Sequence, residues 1–146
     1  MDARDFLSLA QLLLATEKTP RGFRTVIGRA YYAAFNVASD FLSNLGFKLP
    51  KDGTAHSLAY KLIYNCKDIY LKTSATNLNN LKGVRTTADY DLDDESVEKE
   101  PVANSWTHIA NEIIQTLDSC KGDFARLGNI KIEIKNYMTD TRLALS

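Results

Sequence analysis

The sequence predicts an all-α fold of about five helices in one domain, on three observations. Apolar residues recur at three- and four-residue steps along most of the chain, the spacing that gathers them on one face of a helix. The prolines, Pro20, Pro50 and Pro101, fall between these periodic segments, where helix breakers belong. No internal repeat, low-complexity tract or long linker divides the 146 residues, of which 45% are hydrophobic and 25% charged. A chain of this length buries roughly 70% of its unfolded surface, so neither a disulfide nor a structural metal is required. Cys66 and Cys120 are expected to be reduced and structural.

In the first segment Ala3, Phe6, Leu7, Ala10, Leu13 and Leu14 share one helical face. Thr19 and Pro20 read as the N-cap and first position of a second helix, because proline there wastes no backbone donor. This helix is expected to run from Arg21 to about Leu45, burying Val26, Ile27, Ala30, Ala34 and Phe41, with Gly46 closing it. A third helix follows Thr54, carries Ala55, Leu58, Ala59 and Leu62 on one side, and breaks near Asn65–Asp68. The fourth is expected to begin after Ser74. The fifth is fed by Asp93–Ser96 and Pro101, whose acidic residues suit a helix dipole. Its stripe of Val102, Trp106, Ile109, Ile113, Leu117 and Cys120 is expected to lie in the core. Residues 3–120 thus form the helical core, with an extension over 121–146. Within the extension, Ile130, Ile132 and Ile134 alternate as in a strand, while Ile130, Ile134 and Met138 fit a helix equally well.

Eighteen basic residues balance eighteen acidic ones, so no global field draws the protein to nucleic acid or an anionic membrane. No apolar run approaches the roughly 18 residues of a membrane span, and Met1–Asp5 lacks the pattern of a secretion signal. The expected compartment is cytoplasmic. His56 and His108 stand at no metal-ligand spacing from each other or from the cysteines, so no metal site and no cofactor are expected.

Two features depart from this pattern. Leu78, Leu81, Ala88 and Leu92 form one stripe on the fourth helix, and Arg85 falls in its middle. A guanidinium there needs a carboxylate, carbonyls, a partner chain or a phosphate. Asp89, one turn on, is the carboxylate nearest in sequence, and an internal Arg85–Asp89 pair stands against a ligand-binding role. Second, Lys18–Ser39 holds four basic residues and no acidic one, a local positive region. Within it Arg29, Tyr32 and Asn36 gather at helical spacing opposite Tyr31 and Phe35, which read as core. Farther on, seven acids against one lysine between Asp89 and Glu100 would repel RNA if exposed.

The run Gly28-Arg29-Ala30-Tyr31-Tyr32-Ala33-Ala34-Phe35-Asn36-Val37-Ala38, His56 opening a helix, and Arg85-Thr86-Thr87-Ala88-Asp89-Tyr90-Asp91 together resemble the HEPN superfamily, in its branch carrying R-x-x-A-D-Y. The resemblance implies an antiparallel bundle that dimerises through the faces bearing the motif. It also implies RNA as a target. Many members are metal-independent ribonucleases, as toxins beside a nucleotidyltransferase-type antitoxin or within defence systems; others are non-catalytic and bind a nucleotide or partner protein. The family signature places a histidine four to six residues after the arginine. Here Arg85 supplies the arginine, and Tyr90 stands at the histidine's place. Tyrosine, with an ordinary pKa near ~10, is a poor base at neutral pH and serves at best as a donor or orienting group. The resemblance therefore assigns Arg85, Asp89 and Tyr90 to catalysis and leaves His56 and His108 as substitutes for the missing histidine, His56 the better of the two; Arg29, Tyr32 and Asn36, from their helical spacing in the positive region, join His56 as ligand-binding candidates.

Overall fold

The computed structural model describes residues 1–145. The elements are α1 (Asp5–Thr16), α2 (Pro20–Asn44), α3 (Thr54–Tyr64), α4 (Ile69–Tyr90), a 3-10 turn at Glu95–Val97, α5 (Glu100–Ser119) and α6 (Phe124–Asp140). The fold is all-α, as the periodicity predicts, and no strand occurs among the described residues.

Local chemistry sets the ends of α2 where the sequence places them. The Thr19 hydroxyl accepts from Gly22 N–H at 3.1 Å, with Pro20 at the first helical position. Gly22 is required there, because a Cβ would stand 2.0 Å from the Glu17 carbonyl oxygen. At the other end Gly46, at φ +96°, turns the chain so that its N–H reaches the Ser43 carbonyl while Phe47 N–H reaches Leu42 at 2.8 Å. This is the Schellman arrangement, with Leu42 and Phe47 both buried beneath it.

The structure corrects one expectation and decides one that the sequence left open. The fourth helix starts at Ile69, five residues before Ser74, because an Asp68 carboxylate oxygen accepts from the N–H groups of Tyr70 and Leu71, each at 3.1 Å. The same carboxylate receives Arg126 Nε at 2.7 Å and Nη2 at 3.1 Å, tying α4 to α6. The extension after Lys121, open between strand and helix in the sequence, forms α6. Ile130 and Ile134 are 2% and 0% exposed whereas Ile132 is 55% exposed, so helical period wins over alternation. Among the described residues the bundle has six α-helices, the last packed on α3.

Helix α2 is the spine, packed by α1, α3, α4 and α5. Val26, Ile27, Ala30, Ala34, Phe41 and Leu42 are buried along it. On α5 the buried face is Ala103, Thr107, Ala110, Ile113, Ile114 and Leu117. Trp106 and Ile109, expected in the core, flank that face and are only partly buried. Trp106 instead borders a surface groove with Val84, Val97 and Val102. Ile113 is 2% exposed, so Ile113→Ala is expected to destabilise the fold by about 2–5 kcal/mol in urea unfolding. Cys66 and Cys120 are buried free thiols, and burial pushes both above the usual thiol pKa.

Candidate functional site

Tyr31 and Tyr32 on α2 face Arg85 on α4. The Arg85 Cζ lies 5.2 Å from the Tyr31 ring centroid and 5.3 Å from that of Tyr32. Aromatic faces attract a guanidinium without spending its N–H groups. Arg85 is 8% exposed, and among the described residues the one hydrogen bond of its side chain runs from Nη1 to Asp89 Oδ2 at 3.3 Å. The internal pair exists, but Asp89 is itself 39% exposed and takes one of five donors. Arg85 Nε is buried with no acceptor among the described residues. A charged group kept so poorly satisfied in a low dielectric attracts an anion that brings its own oxygens.

A second chain of contacts starts at Tyr31, which is 1% exposed. Burial pushes its phenol well above the ordinary tyrosine value, although the Arg85 charge works the other way, so the hydroxyl keeps its proton. Tyr31 O–H stands 2.6 Å from His56 Nδ1, its one acceptor among the described residues, and we assign the phenol as donor on that ground. The Phe35 ring packs on the imidazole at 4.3 Å between centroids. Burial first, then the charges of Arg85 and Lys82, hold the His56 pKa below its ordinary 6.5. The folded state therefore disfavours the imidazolium, and the unfolded chain binds that proton more readily. Below pH about 6.5 this lowers stability as the pH falls toward the depressed value, and a glutamine at 56 removes the contribution. The stability advantage of the wild type over His56→Gln should thus shrink between about pH 7.5 and pH 5 in urea unfolding. A constant difference would show that His56 titrates alike in both states.

The remaining sequence-derived residues are distributed unevenly. Arg29 Cζ lies 5.7 Å from the Tyr32 ring and 5.3 Å from Phe6, so Tyr32 has two guanidinium groups beside it. Arg29, Tyr32, Arg85 and Asp89 therefore form one cluster, joined to His56 through Tyr31. Asn36 spends its amide on its own helix, donating to the Tyr32 carbonyl at 2.8 Å. Tyr90 stands apart. Five residues past Arg85 is about 140° round the helix, and Tyr90 is 75% exposed where Arg85 is 8% exposed. Leu92, expected on the Arg85 stripe, lies beyond the helix end and is exposed.

Three of the four basic residues over 18–39 meet carboxylates, Lys18 and Arg21 while still exposed to solvent and Arg24 while buried. Lys18 pairs with Glu100 at 2.9 Å, Arg21 with Glu17 at 3.2 Å and Arg24 with Glu98 at 2.7 Å. Of the four, Arg29 alone has no carboxylate partner among the described residues. The acidic segment that follows α4 supplies two of these partners, and the Asp94 carboxylate caps the 3-10 turn by accepting from Ser96 N–H at 2.9 Å.

Sequence reasoning missed Arg24, which is 8% exposed. Its Nη1 donates to the carbonyls of Ala88 and Asp91, each at 3.0 Å, and its Nη2 to those of Leu92 at 3.3 Å and Asp94 at 3.0 Å. It thereby closes the C-terminal end of α4, just past the Arg85–Asp89 turn, and fixes the acidic segment to α2. The signal was available, since Arg24 lies on the stripe of Gly28 and Tyr31 as Arg85 lies on that of Leu78 and Leu81.

Among the described residues no cluster of three or more metal-ligating side chains occurs, and no helix is long and apolar enough to cross a membrane. In comparisons with known proteins, no family model, no curated protein and no solved structure matches the chain.

Proposed function

We propose that this chain is a HEPN-type RNA-targeting protein, a metal-independent endoribonuclease acting as the toxin of a toxin–antitoxin or defence module, with Arg85 at its phosphate site. The observation that carries the reading is the buried, under-satisfied Arg85 guanidinium held between Tyr31 and Tyr32. RNA cleavage by the RNA's own 2′-hydroxyl gathers negative charge on the phosphate, and a preorganised cation in a dry site stabilises that charge most in the transition state. Asp89, at 3.3 Å and partly exposed, yields its place on Arg85 to an incoming phosphate oxygen. In this reading the protein is a cytoplasmic homodimer in solution through the motif face, and a nucleotidyltransferase-type antitoxin is the cognate partner.

The test is purified protein against total cellular RNA with EDTA present, beside Arg85→Ala from the same preparation. Cleavage confined to the wild type supports the reading; equal cleavage in both identifies a contaminant and defeats it. The dimer is checked by sedimentation at roughly tens of micromolar, where a monomer would defeat that part. A second reading, a non-catalytic HEPN module binding a nucleotide or partner protein, is favoured by the exposure of Tyr90 away from Arg85. In that case no RNA is cleaved, while Arg85→Ala weakens nucleotide or partner binding in a salt-dependent way.

A further inference from the structure

A titratable group other than Tyr90 shares the surroundings of Arg85. The Arg85 Cζ and the His56 ring centroid lie 5.2 Å and 5.7 Å from the centroid of the same Tyr31 ring. Three donors of this neighbourhood are unspent among the described residues. Arg85 Nε is buried without an acceptor, and Arg85 Nη2 makes no hydrogen bond. His56 Nε2 is the third. Because Nδ1 accepts the Tyr31 O–H at 2.6 Å, the neutral imidazole carries its proton on Nε2. Against the Arg85 donors stands one carboxylate, Asp89, already turned to Nη1, while His56 lines a pocket with Asp40 and Asp52 and is hydrogen-bonded to neither. Lys82, one turn before Arg85 on α4, adds a charge that reaches His56. Surplus donors and positive charge with too few oxygens to meet them make an oxyanion site.

We propose that His56 is the second phosphate-binding residue of the Arg85 site, presenting Nε2–H as a neutral donor to a phosphodiester oxygen, with Tyr31 as the positioning residue that fixes its tautomer. The proposal rests on the reading of Arg85 as a phosphate ligand and adds the group that shares the phosphate with it. The role is donor and not base. The Nδ1 lone pair is taken by Tyr31 and Nε2 already bears a proton, so His56 accepts none from a 2′-hydroxyl without breaking the 2.6 Å bond. A glutamine, whose amide also offers an N–H, should therefore replace His56 in binding.

The experiment uses the full chain labelled with ¹⁵N in histidine and arginine side chains, at about pH 7.5, where an imidazole below its ordinary 6.5 is neutral. The probes are inorganic phosphate and a 2′-deoxy dinucleoside monophosphate that cannot be cleaved. The free protein should show the Nε2–H tautomer at His56, and Tyr31→Phe should give a mixture of tautomers. Addition of the diester should move the Arg85 Nε and His56 Nε2 resonances together. Affinity should fall about tenfold in His56→Ala and Tyr31→Phe, the usual scale for one hydrogen bond to a charged group, and stay within about threefold in His56→Gln. If phosphate binds but the diester does not, the site takes a terminal phosphate and the diester assignment is overturned. An Nδ1–H tautomer, a His56 signal that stays still while Arg85 moves, or a glutamine variant as weak as alanine would overturn the donor role. RNA cleavage left unchanged in His56→Ala would overturn it too, and leave the ribonuclease reading standing. Diester-linked shifts at both residues without any cleavage would support it and defeat the ribonuclease reading instead.

Discussion

Arg24→Ala is expected to destabilise the protein by about 3–5 kcal/mol, the range for removing one member of a buried charged network. The guanidinium is 8% exposed and answers four backbone carbonyls within 3.3 Å as well as Glu98 at 2.7 Å. Its loss leaves the end of α4 and the segment through Asp94 without donors, and leaves the Glu98 carboxylate unpaired. Arg24→Lys should recover only a small part, because an ammonium lacks the planar fork that meets carbonyls on two sides. Urea unfolding checks both variants at constant m-value. A change under about 1 kcal/mol for the alanine variant would show that water replaces the guanidinium at these carbonyls.

Arg85 should behave in the opposite sense. Arg85→Ala is expected to lower RNA cleavage by about a hundredfold or more, the scale for losing a preorganised donor to transition-state charge. Stability should hardly suffer. The side chain is as buried as Arg24, yet it has one partner at 3.3 Å and an orphaned Nε, so its desolvation is poorly compensated. Arg85→Met, which fills the volume without the charge, is expected to match the wild type or exceed it by about 1 kcal/mol. Loss of about 3 kcal/mol or more in Arg85→Met would show that the pair with Asp89 is a structural device, and the under-satisfied guanidinium would cease to argue for a ligand. Two arginines of equal burial on facing helices thus make contrasting predictions, decided by how many oxygens each one meets.

Periodicity sufficed for much of this molecule. Helical steps of apolar residues located α1, α2, α3 and α5. Thr19, Pro20 and Gly46 marked the ends of α2, because a cap and a left-handed glycine are chemistry of a few adjacent residues. Arg85 was conspicuous for a similar reason, since a charge on an apolar stripe is visible within one helix. The start of α4 is not legible in the sequence, because Asp68 reads as a breaker and only the fold shows its carboxylate capping Tyr70 and Leu71 and binding Arg126 from α6. The strand-like alternation at Ile130–Ile134 stayed undecided for want of a partner surface. Only packing against α3 selects the pair at i and i+4.

The class of fold, and the presence of an arginine that requires an answer, follow from residue order alone. The identity of that answer comes from packing between distant segments. Tyr31 and His56 lie 25 residues apart on different helices, and their 2.6 Å bond exists because α2 and α3 both pack against α4. The basic residues from Lys18 to Arg29 look like one open positive face until Glu98, far along the chain, closes on the buried Arg24 and Glu100 pairs with Lys18. Tyr90 occupies the expected offset in the chain, but helical geometry turns it away from Arg85 into solvent. Residue type and local spacing are properties of a segment, whereas which charge is neutralised and which donor remains free depend on long-range contacts that no single segment contains.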